Sequence, residues 1–418
     1  MSDLTVFKPT IKPAPQKIAG DSVIELAVKF IRKKYIIKYN IFLNNFSIKE
    51  KSKRGAELSK TDLRLILKSN NIRIPQPDLT SILNSQIPNF KVSTNHNPVH
   101  DYLEDLKYDG NSHIEKLSEF INPVNHDNNK TDFHKIRFRK YFKKWFVAMV
   151  ATALGLSKND VMFIIVQKEG GTGKTGFIEY LSSAPGLIDY CKSITKNNYK
   201  TDILKETTRN ILLIFDELAA LNPRYINTFK SEISQAKIKT KFSYNPDEII
   251  LPRLGSFAGT TNFNKEKGGF IQINDKGLMR RLFCIENAGQ INWQKYIKEI
   301  DINQLYAEAI NLIKHTDYDY VFNPEDFSDF EKYNRRYLKN AKISEIISEY
   351  YEPSKSDAEL VYLNATNIKA ELISLNYPEH LITTDAIGKC FTALGFHQDN
   401  QRIGMNKDSI KVYHINRI

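Results

Sequence analysis

Apolar positions along the chain fall into two kinds of pattern. After Asp21, the residues Ile24, Ala27, Val28 and Ile31 of SVIELAVKFIRKKY recur at helical spacing, and Asp21 reads as the cap that starts the helix. Ser59-Lys-Thr-Asp is a second cap signal, placed just ahead of TDLRLILKSN. The intervening residues alternate short apolar runs with basic and polar loops such as KEKSKRG. Residues 21–92 therefore read as a small mixed or helical N-terminal domain behind a flexible, proline-bearing arm at 1–20. Residues 93–157 read as a helical collar that opens with NPVHDYLEDLKYDG and continues into FHKIRFRKYFKKWFVAMVATALG.

From 158 to 290 the pattern changes. The runs FIIVQ, ILLIFD and GSFAGTTN are continuously apolar or small and alternate with helical segments, as in a parallel sheet covered by helices on both faces. The expected fold class is α/β, a P-loop NTPase core with helical N-terminal and collar regions. Residues 291–350 read as a helical connection with acidic and Tyr-rich links, and EPSKSD breaks it from a compact tail at 357–418. In that tail NATNIKAELIS (364–374) and TDAIGKCFTAL (384–394) read as two short helices. The residues after them read as two strands around a Gly-bearing turn, which is the order of a winged helix-turn-helix.

Composition bounds the function classes. With 418 residues, 41% hydrophobic and 26% charged, the chain is long enough for several cores and is neither disordered nor fibrous. Sixty Lys and Arg against forty-eight Asp and Glu leave +12, which favours a polyanionic partner. The three cysteines have no zinc or disulfide spacing, so a reducing interior is the natural setting. The most apolar stretch, Trp145 to Leu156, is well short of the roughly 20 residues that cross a bilayer, and the N-terminus does not match a secretion signal. The expectation is a cytoplasmic protein without a membrane partner.

The chemistry concentrates after the strand Val161–Val166, where QKEGGTGKTGFIEYL supplies a Gly-rich turn and a helix beginning at Lys174. In a P-loop, Gly170, Gly171, Thr172, Gly173, Lys174 and Thr175 hold the phosphates of ATP, with Lys174 at the β and γ phosphates and Thr175 on Mg2+. Lys168 stands where the motif expects its leading Gly, so the loop must begin without backbone angles that only Gly adopts cheaply. The bland alternative is a Gly-rich loop that binds nothing. A second strand ends in Asp216-Glu217, read as a metal-holding carboxylate and the polariser of the attacking water. A third ends in Asn262, read as a sensor of the γ phosphate or as an ordinary turn residue. Arg280 and Arg281 stand just ahead of an apolar strand, LFCIE. They are usually solvated residues, but in an oligomer they read as fingers reaching a neighbour's site.

Lys237, Lys239 and Lys241 alternate along KIKTKFSY before a turn expected at Asn245-Pro246-Asp247-Glu248. Period-two spacing sets them on one face of a hairpin, either tracking a nucleic-acid backbone with Tyr244 stacking or simply protecting an edge strand. In the tail, Lys389, Arg402, Lys407 and Lys411 are candidate phosphate contacts, although such modules also dock proteins. In the basic run His134–Lys144, the aromatics Phe138, Tyr141, Phe142 and Trp145 have helical spacing, so a packed collar helix with a solvated basic face is expected.

Taken in order, FIRKKYIIKYN, NPVHDYLEDLKYDG, EGGTGKT, LIFDEL, FAGTTN and DKGLMRR resemble the virulence-associated protein E family of phage and mobile-element P-loop ATPases over roughly residues 24–315. Lys107-Tyr108-Asp109 departs from the family's tendency to an aromatic Trp before Asp-Gly. The family is similar to superfamily-three helicases. The resemblance implies an ATP- and Mg2+-dependent DNA helicase or replication initiator, a homo-oligomeric ring (a hexamer by analogy) around single-stranded DNA, and a separate primase if priming is needed. A nucleotide-dependent regulatory or defence ATPase that binds DNA without unwinding is the alternative.

Overall fold

The computed structural model describes residues 21–43, 45–52, 57–126, 132–194, 203–218, 233–242, 245–262, 270–271, 276–338, 343–353, 361–403 and 408–418. The arm at 1–20, Tyr244 and Lys407 lie outside the described residues, as do the side chains of Lys241 and Arg402.

The helix Asp21–Lys34 buries Ala27, Val28 and Ile31 and yields to β1 (Tyr35–Asn40) where the β-branched pair Ile36-Ile37 begins. β1 pairs antiparallel with β2 (Asn45–Glu50) and parallel with β3 (Ser93–His96), so the sheet reaches past the expected boundary at 92. Ser59 and Asp62 form a full capping box on the helix Lys60–Ser69, each side chain taking the other's backbone N–H. One face of this sheet and the helices Lys60–Ser69 and Gln76–Asn84 share a separate apolar cluster that includes Ile37, Ile48, Leu63 and Leu79. The far end of β1 meets the rest of the chain through Asn40, whose amide donates to the Tyr190 hydroxyl at 2.9 Å.

Five parallel strands form the central sheet: β4 (Met162–Gln167), β5 (Cys191–Ile194), β6 (Leu212–Phe215), β9 (Ser256–Asn262) and β10 (Leu282–Glu286). Their order is β10-β4-β9-β6-β5. β4, β6 and β10 are buried throughout, as the unbroken apolar runs predict. β9 fits between β4 and β6 because Gly259 has no Cβ; one there would sit 2.8 Å from Met162 and 2.9 Å from the Phe215 carbonyl. The hairpin β7 (Lys237–Phe242) and β8 (Asn245–Pro252) stands outside this sheet.

The helix Phe133–Ala153 packs Phe138, Tyr141, Phe142 and Trp145 into the main core, with Phe138 and Trp145 against Phe163 of β4. Its basic residues divide: Lys135, Arg139 and Lys140 are exposed, as expected of a solvated face, whereas Arg137 and Lys144 are buried. Lys144 is 6% exposed and lies 2.8 Å from Asp326, itself 2% exposed, with Asp319 at 3.2 Å. Arg137 pairs with Asp329 at 2.7 Å and lies over the Tyr333 ring. Lys143 reaches Glu115 and the buried Glu308. The helices Ile302–His315 and Pro324–Asn334, with the link between them, supply most of these acids. Long-range charge pairing therefore overrides the usual solvation at Arg137, Lys143 and Lys144.

The tail contains the two expected helices, Ala365–Ser374 and Thr384–Ala393, followed by the antiparallel pair β13 (Gln398–Ile403) and β14 (Asp408–Arg417). β14 also pairs with β11 (Tyr351–Pro353) and β12 (Val361–Leu363), making a four-stranded sheet. Among the described residues no helix is long and apolar enough to cross a membrane.

Candidate nucleotide site

β4 delivers the chain into a loop whose glycines carry the turn: φ is +71° at Gly171 and +89° at Gly173. Among described non-glycine residues, positive φ occurs at Asn71, Glu217 and Asn376, so Lys168 begins the loop with an ordinary backbone. The helix Lys174–Leu181 starts immediately after Gly173, and its first backbone bond runs from Phe177 N–H to the Gly173 carbonyl. The N–H groups of the first turn have no partner within the helix and face the loop side.

Lys174 is 7% exposed. Burial lowers its pKa, and the Glu217 and Asp216 charges oppose that shift. Its ammonium donates to the Glu169 carbonyl at 2.8 Å and to Asn262 Oδ1 at 2.9 Å. Asn262 in turn donates to Glu217, from its amide at 2.5 Å and from its backbone N–H at 3.2 Å. Thr175 Oγ1 and Thr260 Oγ1 both donate to Asp216 Oδ1, at 3.0 and 3.1 Å. Thus Lys174, Thr175, Asp216, Glu217 and Asn262 converge at the carboxyl edge of three adjacent strands, where ligands bind in open α/β sheets. Glu217 adopts φ 58°, a left-handed conformation that costs roughly 1–3 kcal/mol and turns the residue after Asp216 toward Asn262.

Two further residues hold the loop, and sequence reading missed both. Gln167, the last residue of β4, accepts from Thr172 Oγ1 at 2.6 Å and donates to the Gly289 carbonyl. Asn287, just beyond β10, donates to Gln167 Oε1 at 3.4 Å and to Gly289 O at 3.0 Å, and accepts from the Asn122 N–H. The following segment closes against the loop, with Ile291 N–H donating to the Thr172 carbonyl at 2.9 Å. A Cβ on Gly173 would lie 2.8 Å from the Ile291 carbonyl. The available signal was a buried amide ending each of two adjacent apolar strands.

Among the described residues, the remaining candidates are not brought to this site. The Arg281 carbonyl accepts from Met162 N–H at 2.8 Å, at the start of β4, while the loop leaves the other end of that strand. Six residues at about 3.3 Å each separate the arginines from their own Lys174 by roughly 20 Å. Arg281 ties its guanidinium to the Gly277 carbonyl, whereas Arg280 is exposed. Lys237 and Lys239 are exposed while Ile238 and Thr240 are buried, giving the alternation expected of the hairpin. The turn is not at 245–248, however. Those residues belong to β8, and the pairing shifts register opposite position 241, where Pro246 has no N–H to offer the ladder. Lys389 is exposed but paired with Asp385 at 2.8 Å, and Lys411 is exposed on β14.

A strand, Gly-rich loop and helix at the carboxyl edge of a parallel sheet, facing an Asp-Glu pair and a strand-end Asn, define a P-loop α/β protein. Residues 103–339 match the virulence-associated protein E-like domain, and the chain belongs to that family. Similar solved structures include an apo structure of the NrS-1 C-terminal region (305–718), with 14% identity, 94% of this chain and 99% of that chain covered, and a TM-score of 0.47. An A-form apo structure of the same region gives 13% identity, covers 93% and 99% of the two chains, and has a TM-score of 0.44. No curated protein matches the chain.

Proposed function

We propose that this chain is an ATP-dependent DNA helicase and replication initiator of a phage or mobile element, acting as an oligomeric, hexameric ring. The observation that carries the reading is the convergence of Lys174, Thr175, Asp216, Glu217 and Asn262 on one edge of the sheet. The donor set fits a triphosphate: a buried ammonium, a hydroxyl and the unpartnered N–H groups of a helix start. The oxygens of Thr175 and Asp216, 3.0 Å apart, suit a hard cation such as magnesium.

ATP with Mg2+ supplies the phosphoryl group and screens its charge. Lys174 exchanges its bonds to Glu169 and Asn262 for phosphate oxygens. Asn262, released from Lys174, keeps its hold on Glu217 and sets where that carboxylate takes a proton from water. Arg280 or Arg281 completes a site only in the neighbouring subunit, because each is at the wrong end of its own sheet. The exposed Lys237 and Lys239 face the DNA backbone in the central channel.

Phosphate-release and forked-duplex unwinding assays test the reading. Lys174→Ala and Glu217→Gln should each reduce ATP hydrolysis by about 100-fold or more, with Glu217→Gln still binding nucleotide. Parental hydrolysis by Glu217→Gln overturns its role. An unmodified protein that hydrolyses ATP but never opens a fork, even with a single-stranded loading site, overturns the helicase reading.

A further inference from the structure

The chain's positive charge is unevenly placed. Residues 21–96 contain fourteen Lys and Arg against six Asp and Glu, an excess of eight within a total of +12. Residues 357–418, where a winged-helix reading places duplex contacts, contain six against seven. The N-terminal excess is also gathered in space. Arg32, Lys33 and Lys34 end the first helix, and Lys51 is drawn to them, its N–H donating to the Lys34 carbonyl at 2.8 Å and its ammonium to the Arg32 carbonyl at 2.7 Å. Arg32 reaches across to the carbonyls of Lys91 and Pro88, which brings Lys91 to the same end of the sheet. Lys49, opposite Ile36, and Lys38, opposite Ser47, extend the cluster along the outer sheet face, and both are exposed. Glu50 is the one acid in this stretch; it faces the other side of the sheet, raising the pKa of Tyr35 after burial has done so.

This end of β1 is opposite Asn40, where the unit joins the rest of the chain, so strand length sets Lys34 and Lys51 about 17–20 Å from Asn40, with Lys38 about 7 Å from it. Six like charges this close repel one another, and a polyanion relieves that repulsion. Among the described residues of the unit, the exposed large apolar ones are Leu26, Ile36, Leu43, Leu65 and Ile87, with no aromatic ring among them to stack on an unpaired base.

We infer that the 21–96 unit is a second nucleic-acid surface, which grips the phosphate backbone of duplex DNA through Arg32, Lys33, Lys34, Lys38, Lys49 and Lys51. The inference shares with the proposed function only the class of partner, DNA. The contact is to phosphate, so it positions the protein on a duplex without reading sequence.

The test is fluorescence anisotropy of the full chain on a labelled 30-base-pair duplex of arbitrary sequence, titrated across a range of salt. Removing four phosphate contacts with K33A/K34A/K38A/K49A should lower the slope of log affinity against log salt by about 3 to 4 and weaken low-salt binding at least tenfold. A control that removes the same charge elsewhere, K107A/K116A/K295A/K298A, should change the slope by less than about 1. Circular dichroism melting establishes that each variant is folded, and Lys38→Arg/Lys49→Arg, which keeps the charge, should bind as the parent does. An unchanged slope in the first variant, an equal loss in the control, or a parent that does not bind the duplex at all overturns the surface. None of these outcomes touches ATP hydrolysis or unwinding, which report on the proposed function separately.

Discussion

Replacing Lys144 with Met probes how the helix Phe133–Ala153 is held on the sheet. The ammonium is 6% exposed and lies 2.8 Å from Asp326, which is 2% exposed. Burial pushes the Asp326 carboxyl up; the hydrogen bonds from Lys144 and the Asn323 N–H, with the charges of Lys144 and Lys140, outweigh burial and hold it below the ordinary carboxylate range. Breaking a buried pair by removing one partner typically costs about 3–5 kcal/mol, because the other charge is left uncompensated. Here Lys140 at 3.4 Å and the Asn323 N–H remain, so the low end, about 3 kcal/mol, is expected. At about 2–4 °C per kcal/mol for a unit of 150–250 residues, the melting midpoint falls by about 6–12 °C.

The pH dependence gives the sharper check. In the parent, the depressed Asp326 pKa contributes stability that is present above the unfolded-state value and lost as pH falls through the lower folded-state value. In Lys144→Met burial dominates, the carboxyl titrates higher, and protonation relieves the penalty on acidification. Urea unfolding at pH 7 and near pH 4 should therefore show the gap between parent and variant narrowing at the lower pH. Lys144→Met/Asp326→Asn should cost less than the two single changes added together, since Asn retains the cap and needs no counter-charge. A gap independent of pH, or a strictly additive double variant, refutes the buried-pair account.

Other expectations follow from the site. Gly173→Ala, placing a Cβ 2.8 Å from the Ile291 carbonyl at φ +89°, should abolish nucleotide binding measured by filter retention while leaving the melting midpoint within a few degrees. Asn287→Ala should raise KM for ATP several-fold more than it lowers kcat, since it holds the loop without facing the reacting atoms; a pure kcat loss contradicts that. Mixing Arg280→Ala with Lys174→Ala subunits should restore part of the ATPase that neither shows alone, and no recovery in proven mixed oligomers removes Arg280 from a neighbour's site. Cys284 is fully buried on β10 and burial raises its thiol pKa above the usual range, so a thiol reagent at pH 8 should not label it until the protein is denatured.

What was legible in the sequence was mainly local. Continuous apolar runs marked β4, β6 and β10, Ser59-Lys-Thr-Asp marked a cap, and EGGTGKT with Asp216, Glu217 and Asn262 marked residues that meet at one sheet edge. These signals lie within a few residues of the geometry they specify. The Gln167–Asn287 bracket was missed because its partners are 120 residues apart and neither belongs to the loop motif. The turn expected at 245–248 failed because Pro246 was read as a turn residue, whereas proline also sits at irregularities within a strand pair.

The basic helix shows how a long-range error becomes correctable. Aromatic spacing alone placed Phe138, Tyr141, Phe142 and Trp145 in the core, but it left the cations without an assignment except solvent. Their partners, Asp319, Asp326 and Asp329, come 175 to 192 residues later in the chain. Both segments carry a readable mark: HKIRFRKYFKK interleaves positive charge with aromatics, and DYDYVFNPEDFSDF interleaves negative charge with aromatics. Each segment alone faces a conflict, since helical packing of the rings buries charges that cost several kcal/mol when unpaired. Only placing the two segments against each other resolves it. The aromatic pairs Tyr141–Phe330 at 4.7 Å and Arg137 over Tyr333 at 4.0 Å belong to the same contact surface as the Lys144–Asp326 pair. Apolar packing and charge pairing thus select the same docking, which explains why this helix buries Arg137 and Lys144 while Lys135, Arg139 and Lys140 keep the expected exposure.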